Sequence, residues 1–265
     1  MTVEKGVPIR AITRGLSVLQ AINRGGSITM MDIARTSQVP YPTACRIVQT
    51  LLHEGMIERE TARKRYRATA LVQSLASGFH DESQLVAIAS PHINTLCDKL
   101  LWPISITSRV GAHMMVRDST HTRTSLTLNN YYPGFTLPIM ECSSGKAYMA
   151  FCSDAERESL LEGLRTIEGA AERMAMLLLS NDSLLREVRE RGYATQSRNA
   201  YTANPGKTSS IAVPLFRGGE VAGAVVVIFF AVAMPMEKAA AQFLAPLKAT
   251  AEAISAELGG LVRAA

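Results

Sequence analysis

Ile9, Ile12, Leu16, Leu19 and Ile22 recur at intervals of three and four residues, so residues 9–24 are predicted to form an amphipathic helix. Gly25 and Gly26 end it. Thr29, with Asp32 three residues on, has the form of a capping box, the hydroxyl on a free N–H and the carboxylate reaching back. It predicts a short helix to about Thr36. Residues 37–40 read as a turn closed by Pro40. A third helix is predicted from about Pro42, a residue suited to the first helical turn, to His53. Its apolar face is Ala44, Ile47, Val48, Leu51 and Leu52; its polar face is Tyr41, Thr43, Cys45, Arg46, Gln49 and Thr50. After Gly55 the pattern changes to two short strands, 56–60 and 65–68, around a turn at 61–64. Three helices followed by a basic hairpin is the order of a winged helix-turn-helix.

Further along, 71–79 reads as a short connecting helix and 84–101 as a longer one with Pro91 inside, ended by Trp102-Pro103. Strands are predicted at 104–108, 113–118 and 125–128. Helices follow at 145–151, 155–164 and 177–191, the last closed by Gly192. Strands at 209–214 and 221–230 flank an Arg-Gly-Gly turn, and a closing helix covers 236–258. Mixed strands and helices with hairpin-like neighbours make this part α+β. The expected organisation is a winged helix-turn-helix over 1–78, including the start of a linker helix, and a second domain over 79–265.

Charge sharpens that division. The chain carries a formal net charge of +5, but residues 1–76 hold eleven basic and five acidic side chains, a net +6, and the remainder is −1. Excess positive charge confined to the first third points to a polyanionic partner for that third. Hydrophobic residues make up 47% of the 265, enough for a sizeable core. The longest apolar run, 221–234, is too short for a membrane span and reads as a buried strand; the first eight residues lack the apolar segment of a signal peptide. Cys45, Cys97, Cys142 and Cys152 lie far apart with no metal-ligand spacing, which reads as free thiols in a reducing cytoplasm. No cofactor or metal motif is expected. A phosphate loop and a Gly-x-Ser-x-Gly elbow are both missing, so Ser143 and Lys146, which have the look of a nucleophile pair in a hydrolase, are a remote alternative.

The DNA-facing set expected from this layout is Arg14, Thr29, Tyr41, Thr43, Arg46 and Gln49, with Arg63, Lys64 and Arg65 at the hairpin. Arg46, on the polar face of the third helix, suits a bidentate bond to guanine or a phosphate clamp; the plain alternative is a surface ion pair with Glu54. The three consecutive cations suit the minor groove or phosphates, against a solvated tip.

Four stretches match a known family: 13–19 in the opening helix; 39–55, with Arg46 in the recognition-helix position; 143–150, Ser-Ser-Gly-Lys-Ala-Tyr-Met-Ala; and 191–193 followed by Ser210-Ile-Ala-Val-Pro214. In this order the chain resembles the IclR family of bacterial regulators over essentially its whole length. Stretches 101–103, 116–121, 149–152 and 209–215 are similar to the family's regulators of aromatic-acid catabolism. The resemblance implies a winged helix-turn-helix, a linker helix and a GAF/PAS-like effector domain, assembled as a homodimer or a dimer of dimers. Operator DNA, a small aromatic acid and RNA polymerase would be its partners; a non-aromatic organic acid is the alternative effector.

The helix start at Ser143, Ser144 and Gly145 is the expected carboxylate site, since free N–H groups and the positive dipole end suit an anion; N-capping by Ser143 is the plain alternative. Arg109 and Arg123 are candidate charged partners, or else surface salt bridges. Ser210, Met140, Cys142, Val226 and Ile228, with Tyr201, are candidates for the wall around a ring, or else ordinary core.

Overall fold

The computed structural model describes residues 9–60, 63–76, 83–127, 131–165, 183–200, 202 and 205–264. Two compact units result, Met1–Asp81 and Glu82–Ala265.

The first unit follows the sequence closely. α1 (Arg10–Gly25) buries Val18, Leu19, Ala21 and Ile22 and stops where Gly26 takes a φ of 66°. α2 (Met30–Ser37) is capped as expected: the Thr29 hydroxyl accepts from the Asp32 N–H at 3.2 Å and donates to the Asp32 carboxylate at 2.7 Å. That bond is the main reason the Asp32 carboxyl is held below its ordinary value. Gln38, at φ 55°, turns the chain into α3 (Tyr41–His53), whose first turn holds Pro42. β2 (Ile57–Glu60) and β3 (Arg65–Ala68) form an antiparallel hairpin, Glu60 opposite Arg65. A strand of two residues, β1 (Ile28–Thr29), pairs with the free edge of β3; two residues are too few to show an alternating pattern. Val18, Ile22, Ile33, Val39, Ala44, Val48 and Ile57 close one core. Each contributes roughly 1.5–3 kcal/mol by burial, less for alanine.

Residues 70–76 form a 3₁₀ helix in place of the predicted α-helix; Phe79 lies outside the described residues. The second unit begins with α4 (Ser83–Leu100), which carries Pro91 in its interior. A six-stranded antiparallel sheet follows, with β4 (Ile104–Val110), β5 (His113–Ser119), β6 (Thr136–Pro138), β7 (Ala194–Gln196), β8 (Thr208–Arg217) and β9 (Glu220–Phe230) in the order β6-β5-β4-β9-β8-β7. Residues 125–127 are bends and not the expected strand, and β6 and β7 are short edge strands that the pattern did not signal.

Both faces of the sheet are covered. α4 and the long C-terminal α8 (Met236–Ala264) bury Ile104, Ile106, Ile211, Leu215, Val225, Val227 and Phe229. On the opposite face Ala212, Ala224, Val226 and Ile228 pack with α5 (Ser143–Phe151), α6 (Asp154–Arg165) and α7 (Ser183–Arg191). Two-sided burial explains why β8 and β9 read as nearly continuous apolar runs. In β4 the alternation survives, and it turns Ser105 and Thr107 toward the α5 face, away from Ile104 and Ile106. Those inward hydroxyls begin the site. Among the described residues no helix is long and apolar enough to cross a membrane.

Candidate functional site

On the first unit the exposed face of α3 carries Arg46, Gln49 and Thr50, with Tyr41 at the helix start and Thr43 half-buried. At about 100° per residue, Gln49, Arg46 and Thr43 fall within an arc of about 120°, opposite the buried Ala44 and Val48. Arg46 has no ion-pair partner among the described residues, so the pairing with Glu54 is not formed. An unpaired guanidinium on the open face of a second helix-turn-helix helix can donate two parallel N–H bonds to a base edge or clamp a phosphate.

At the hairpin, Arg63 and Lys64 are exposed and Lys64 takes a φ of 50°. Arg65 behaves differently: it is half-buried and donates to the Ser27 carbonyl at 2.9 Å, which ties β3 to the segment before β1. Thr29 is likewise committed to the α2 cap. Arg14 is half-buried on α1.

The second unit holds a small, partly open cavity between the start of α5, the inner sheet face and the residues around Tyr131. Six of the ten expected effector residues line it: Cys142, Ser143, Ser144, Ser210, Val226 and Ile228. Its free space is about 20 Å³, room for about one water, within an envelope of about 370 Å³. Cys142, not Ser143, is the N-cap of α5: its sulfur accepts from the Gly145 N–H at 3.3 Å. Burial pushes its thiol up, so the sulfur stays protonated and unreactive. The N–H groups of Ser143 and Ser144 sit in the first turn, where no carbonyl within the helix can accept from them. The Ser143 hydroxyl meets that of Ser210 at 2.8 Å, and the Tyr131 phenol meets Thr208 at 2.9 Å.

The other expected residues stand apart. Arg109 bonds to Glu156 at 3.1 Å and to the Tyr148 phenol at 3.3 Å, and it does not line the cavity. Tyr148 in turn donates to Glu156 at 2.6 Å; burial first, then that bond, pushes its phenol up to about 12. This network joins β4, α5 and α6. Arg123 pairs with Asp98 at 3.3 Å on the surface. Both arginines have the salt-bridge role that the sequence left open. Met140 is buried beside the cavity without lining it. Gly145 is a packing residue: a Cβ there would lie 1.7 Å from the Ile139 carbonyl oxygen. Tyr201 lies outside the described residues.

Lys146 bonds to the Gln196 side chain at 2.6 Å and the Thr195 carbonyl at 3.4 Å, while Ser143 is held by Ser210. The pairing needed for a serine–lysine nucleophile is not formed. Burial also lowers the Lys146 ammonium from its ordinary value.

Seven lining residues were not foreseen: Ser105, Thr107, Val116, Tyr131, Leu137, Asn199 and Thr208. The alternation in β4 signalled that Ser105 and Thr107 share a face, but not that the face lines a cavity. Asn199 reaches the site from a loop, where its side chain donates to the Glu141 carbonyl at 3.0 Å just ahead of α5.

An open cationic recognition helix and wing, followed by a separate α+β unit, define a DNA-binding transcription regulator. Residues 11–61 match the IclR helix-turn-helix domain and residues 79–256 the bacterial transcriptional regulator IclR C-terminal domain, and the chain belongs to this family. It is 26% identical over 265 residues to the DNA-binding transcriptional repressor YiaJ of Escherichia coli (strain K12), covering 98% of this chain and 92% of the relative. It is 24% identical to the acetate operon repressor of Salmonella typhimurium, over 70% of this chain and 68% of that one. These relatives are regulators and not enzymes. Among solved structures, the Thermotoga maritima IclR superposes with a TM-score of 0.63 at 20% identity, covering 94% of this chain and 98% of that one. An IclR homolog from Microbacterium hydrocarbonoxydans complexed with 4-hydroxybenzoate gives 0.65 at 21% identity, covering 96% and 100%. At these identities the likeness shows the fold.

Proposed function

We propose that this regulator's grip on its operator is set by a small aromatic carboxylic acid held in the α5 cavity, and that it controls an operon for the breakdown of aromatic compounds. The observation that carries the reading is the convergence of Ser143, Ser144 and Ser210 with Val226 and Ile228 on one small space at a helix start. Hydroxyls and first-turn N–H groups receive the carboxylate, and the apolar strand residues receive the ring. The 4-hydroxybenzoate held by a protein of the same fold supports the aromatic class.

No cation lines the cavity among the described residues, so the helix dipole and neutral donors hold the acid. A dipole contributes about 0.3–1 kcal/mol, up to about 2 when partly buried, whereas micromolar affinity needs about −8 kcal/mol. Ring burial and hydrogen bonds supply the difference. To seat a ring, side chains such as Tyr131 must move, because the free space is about 20 Å³. That small volume favours the second reading, a compact non-aromatic acid.

The assay is thermal melting and calorimetry of the full chain against benzoates, hydroxyphenylpropionates and short keto acids. An effector at about 100 times its Kd stabilises by about 2.7 kcal/mol, and Ser144→Val binds it at least tenfold more weakly. Equal binding by both proteins puts the carboxylate elsewhere. Stabilisation by the short acids alone establishes the second reading.

Assembly as a two-fold dimer on an imperfect palindrome belongs to the same proposal. Leu71 and Leu75, 45% and 64% exposed, present apolar surface that a second copy would cover. A monomer in sedimentation that still binds the operator specifically rejects it.

A further inference from the structure

A second pocket of this unit lies where β7 stops short. β7 pairs with β8 only along Ser210, Ile211 and Ala212, so among the described residues no strand covers the outer edge of β8 beyond Ala212. Pro214 has no N–H to offer there, as suits an edge. α8 crosses this stretch instead, and its Ser255 hydroxyl accepts from the Phe216 N–H at 3.0 Å. What remains between β8, α8, α7 and the end of α5 is a pocket, open to solvent, with about 290 Å³ of free space. The α5 cavity has about 20 Å³. Small-molecule sites commonly span about 300–1,000 Å³.

The floor of this pocket is apolar. Val213, Pro214 and Ala251 meet an edge-to-face pair of rings, Phe151 and Phe216, with centroids 5.6 Å apart. Three charged side chains stand around that floor: Arg189, Lys248 and Glu252. Lys248 is turned aside: it donates to the Arg191 carbonyl at 2.7 Å, and its ammonium stands 5.7 Å from the centre of the Tyr193 ring. Glu252 follows it by four residues on α8, a spacing at which lysine and glutamate can pair. With Lys248 held by Arg191, Glu252 has no ion-pair partner among the described residues. Arg189 spends its Nε on the Ala150 carbonyl, at 2.5 Å, near the end of α5. Its two terminal nitrogens have no acceptor among the described residues. The uncommitted charges around the apolar floor are therefore one of each sign.

We infer that this pocket is a second small-molecule site, and that its ligand is an α-amino acid with a large apolar side chain. Arg189 receives the carboxylate in charge-assisted bonds, Glu252 receives the ammonium, and the rings of Phe151 and Phe216 receive the side chain. A plain acid leaves Glu252 without a partner, and a plain amine leaves Arg189 without one. The pocket shares no lining residue with the α5 cavity, so the inference does not rest on the carboxylate reading of that cavity. It gives the regulator a second input of different chemistry.

The test is calorimetric titration of the full chain with L-phenylalanine, with N-acetyl-L-phenylalanine, which lacks the ammonium, and with L-phenylalaninamide, which lacks the carboxylate. L-phenylalanine should bind at least about tenfold more tightly than either analogue. Glu252→Gln should bring L-phenylalanine down to the level of the N-acetyl compound without weakening the latter. Arg189→Gln should weaken both carboxylates by at least about tenfold. Glu252 is exposed, so Glu252→Gln should melt like the wild type without ligand, which shows that the variant is folded. Ser144→Val, in the other cavity, should bind L-phenylalanine as the wild type does. Equal wild-type affinity for L-phenylalanine and its N-acetyl derivative overturns the inference, as does no binding of L-phenylalanine at millimolar concentration. Binding that survives Glu252→Gln and Arg189→Gln but is lost in Ser144→Val places the amino acid in the α5 cavity and overturns it too.

Discussion

Replacing Gly145 by alanine should damage the second unit far more than one methyl group suggests. The new Cβ would lie 1.7 Å from the Ile139 carbonyl oxygen, 2.5 Å from its carbon and 2.8 Å from the Ile139 Cα. Ordinary contacts of this kind are about 3.5–4.0 Å, so either the start of α5 or the turn at 139–141 must move by about 1.5–2 Å. Neither gives way cheaply. Ile139 is fully buried, and its N–H bonds to the Ala112 carbonyl at 3.0 Å. Moving α5 stretches the Gly145–Cys142 cap, the bond from the Lys146 N–H to the Cys142 carbonyl, and the Ser143–Ser210 pair. Overpacking costs about 1–3 kcal/mol, and one or two lost bonds add about 0.5–1.5 kcal/mol each. The expected loss is therefore about 1.5–6 kcal/mol, or about 3–24 °C in Tm for a domain of this size. The matched control is Gly163→Ala in α6, where an added Cβ meets nothing within 4 Å; the gain in helix propensity makes it neutral or stabilising by up to about 1 kcal/mol. Calorimetric melting reads both. A Gly145→Ala protein that melts within about 1 °C of wild type and binds effector normally would refute the close-approach argument.

Three further outcomes follow from the two sites. Arg46→Ala should weaken operator binding by about 1–3 kcal/mol in a fluorescence anisotropy titration, with a much smaller loss on random DNA; equal losses on both would make Arg46 a phosphate clamp. Lys64→Ala should weaken binding evenly across sequences and flatten the plot of log K against log salt by about 0.9, and an unchanged slope would remove the hairpin tip from the DNA backbone. Tyr148 ties stability to alkaline pH. In the fold its phenol keeps its proton to about 12, whereas an unfolded tyrosine ionises near pH 10. This contribution is therefore complete below pH 10 and is lost as the pH rises from 10 to 12. Urea midpoints should fall more steeply over that window for wild type than for Tyr148→Phe, and parallel curves would contradict the raised pKa that burial and the Glu156 bond give this phenol.

The residues that were legible in the sequence are those whose signals are local. The caps at Thr29, the breaks at Gly25-Gly26 and Gly55, and the spacing of Val18, Leu19 and Ile22 act within one or two helical turns, and the first unit follows them nearly residue for residue. β1, β6 and β7 escaped because strands of two or three residues owe their existence to a neighbouring edge and not to a pattern of their own. The cavity divides the same way. Its helix start was visible because serines ahead of an apolar helix are a local signal. Tyr131, Asn199 and Thr208 were not, because they reach the space from segments far apart in the chain and only the sheet brings them together. The two arginines show the opposite error. Pairing an anion with a cation is sound chemistry, but Glu156 and Asp98 already occupy Arg109 and Arg123. With those charges committed, a carboxylate in this cavity must be held by hydroxyls and backbone N–H groups. Neutral donors are weaker partners than guanidinium groups and more exacting in geometry. Discrimination among acids should therefore follow the placement of their second polar group more than their charge, so acids of equal charge should differ widely in affinity.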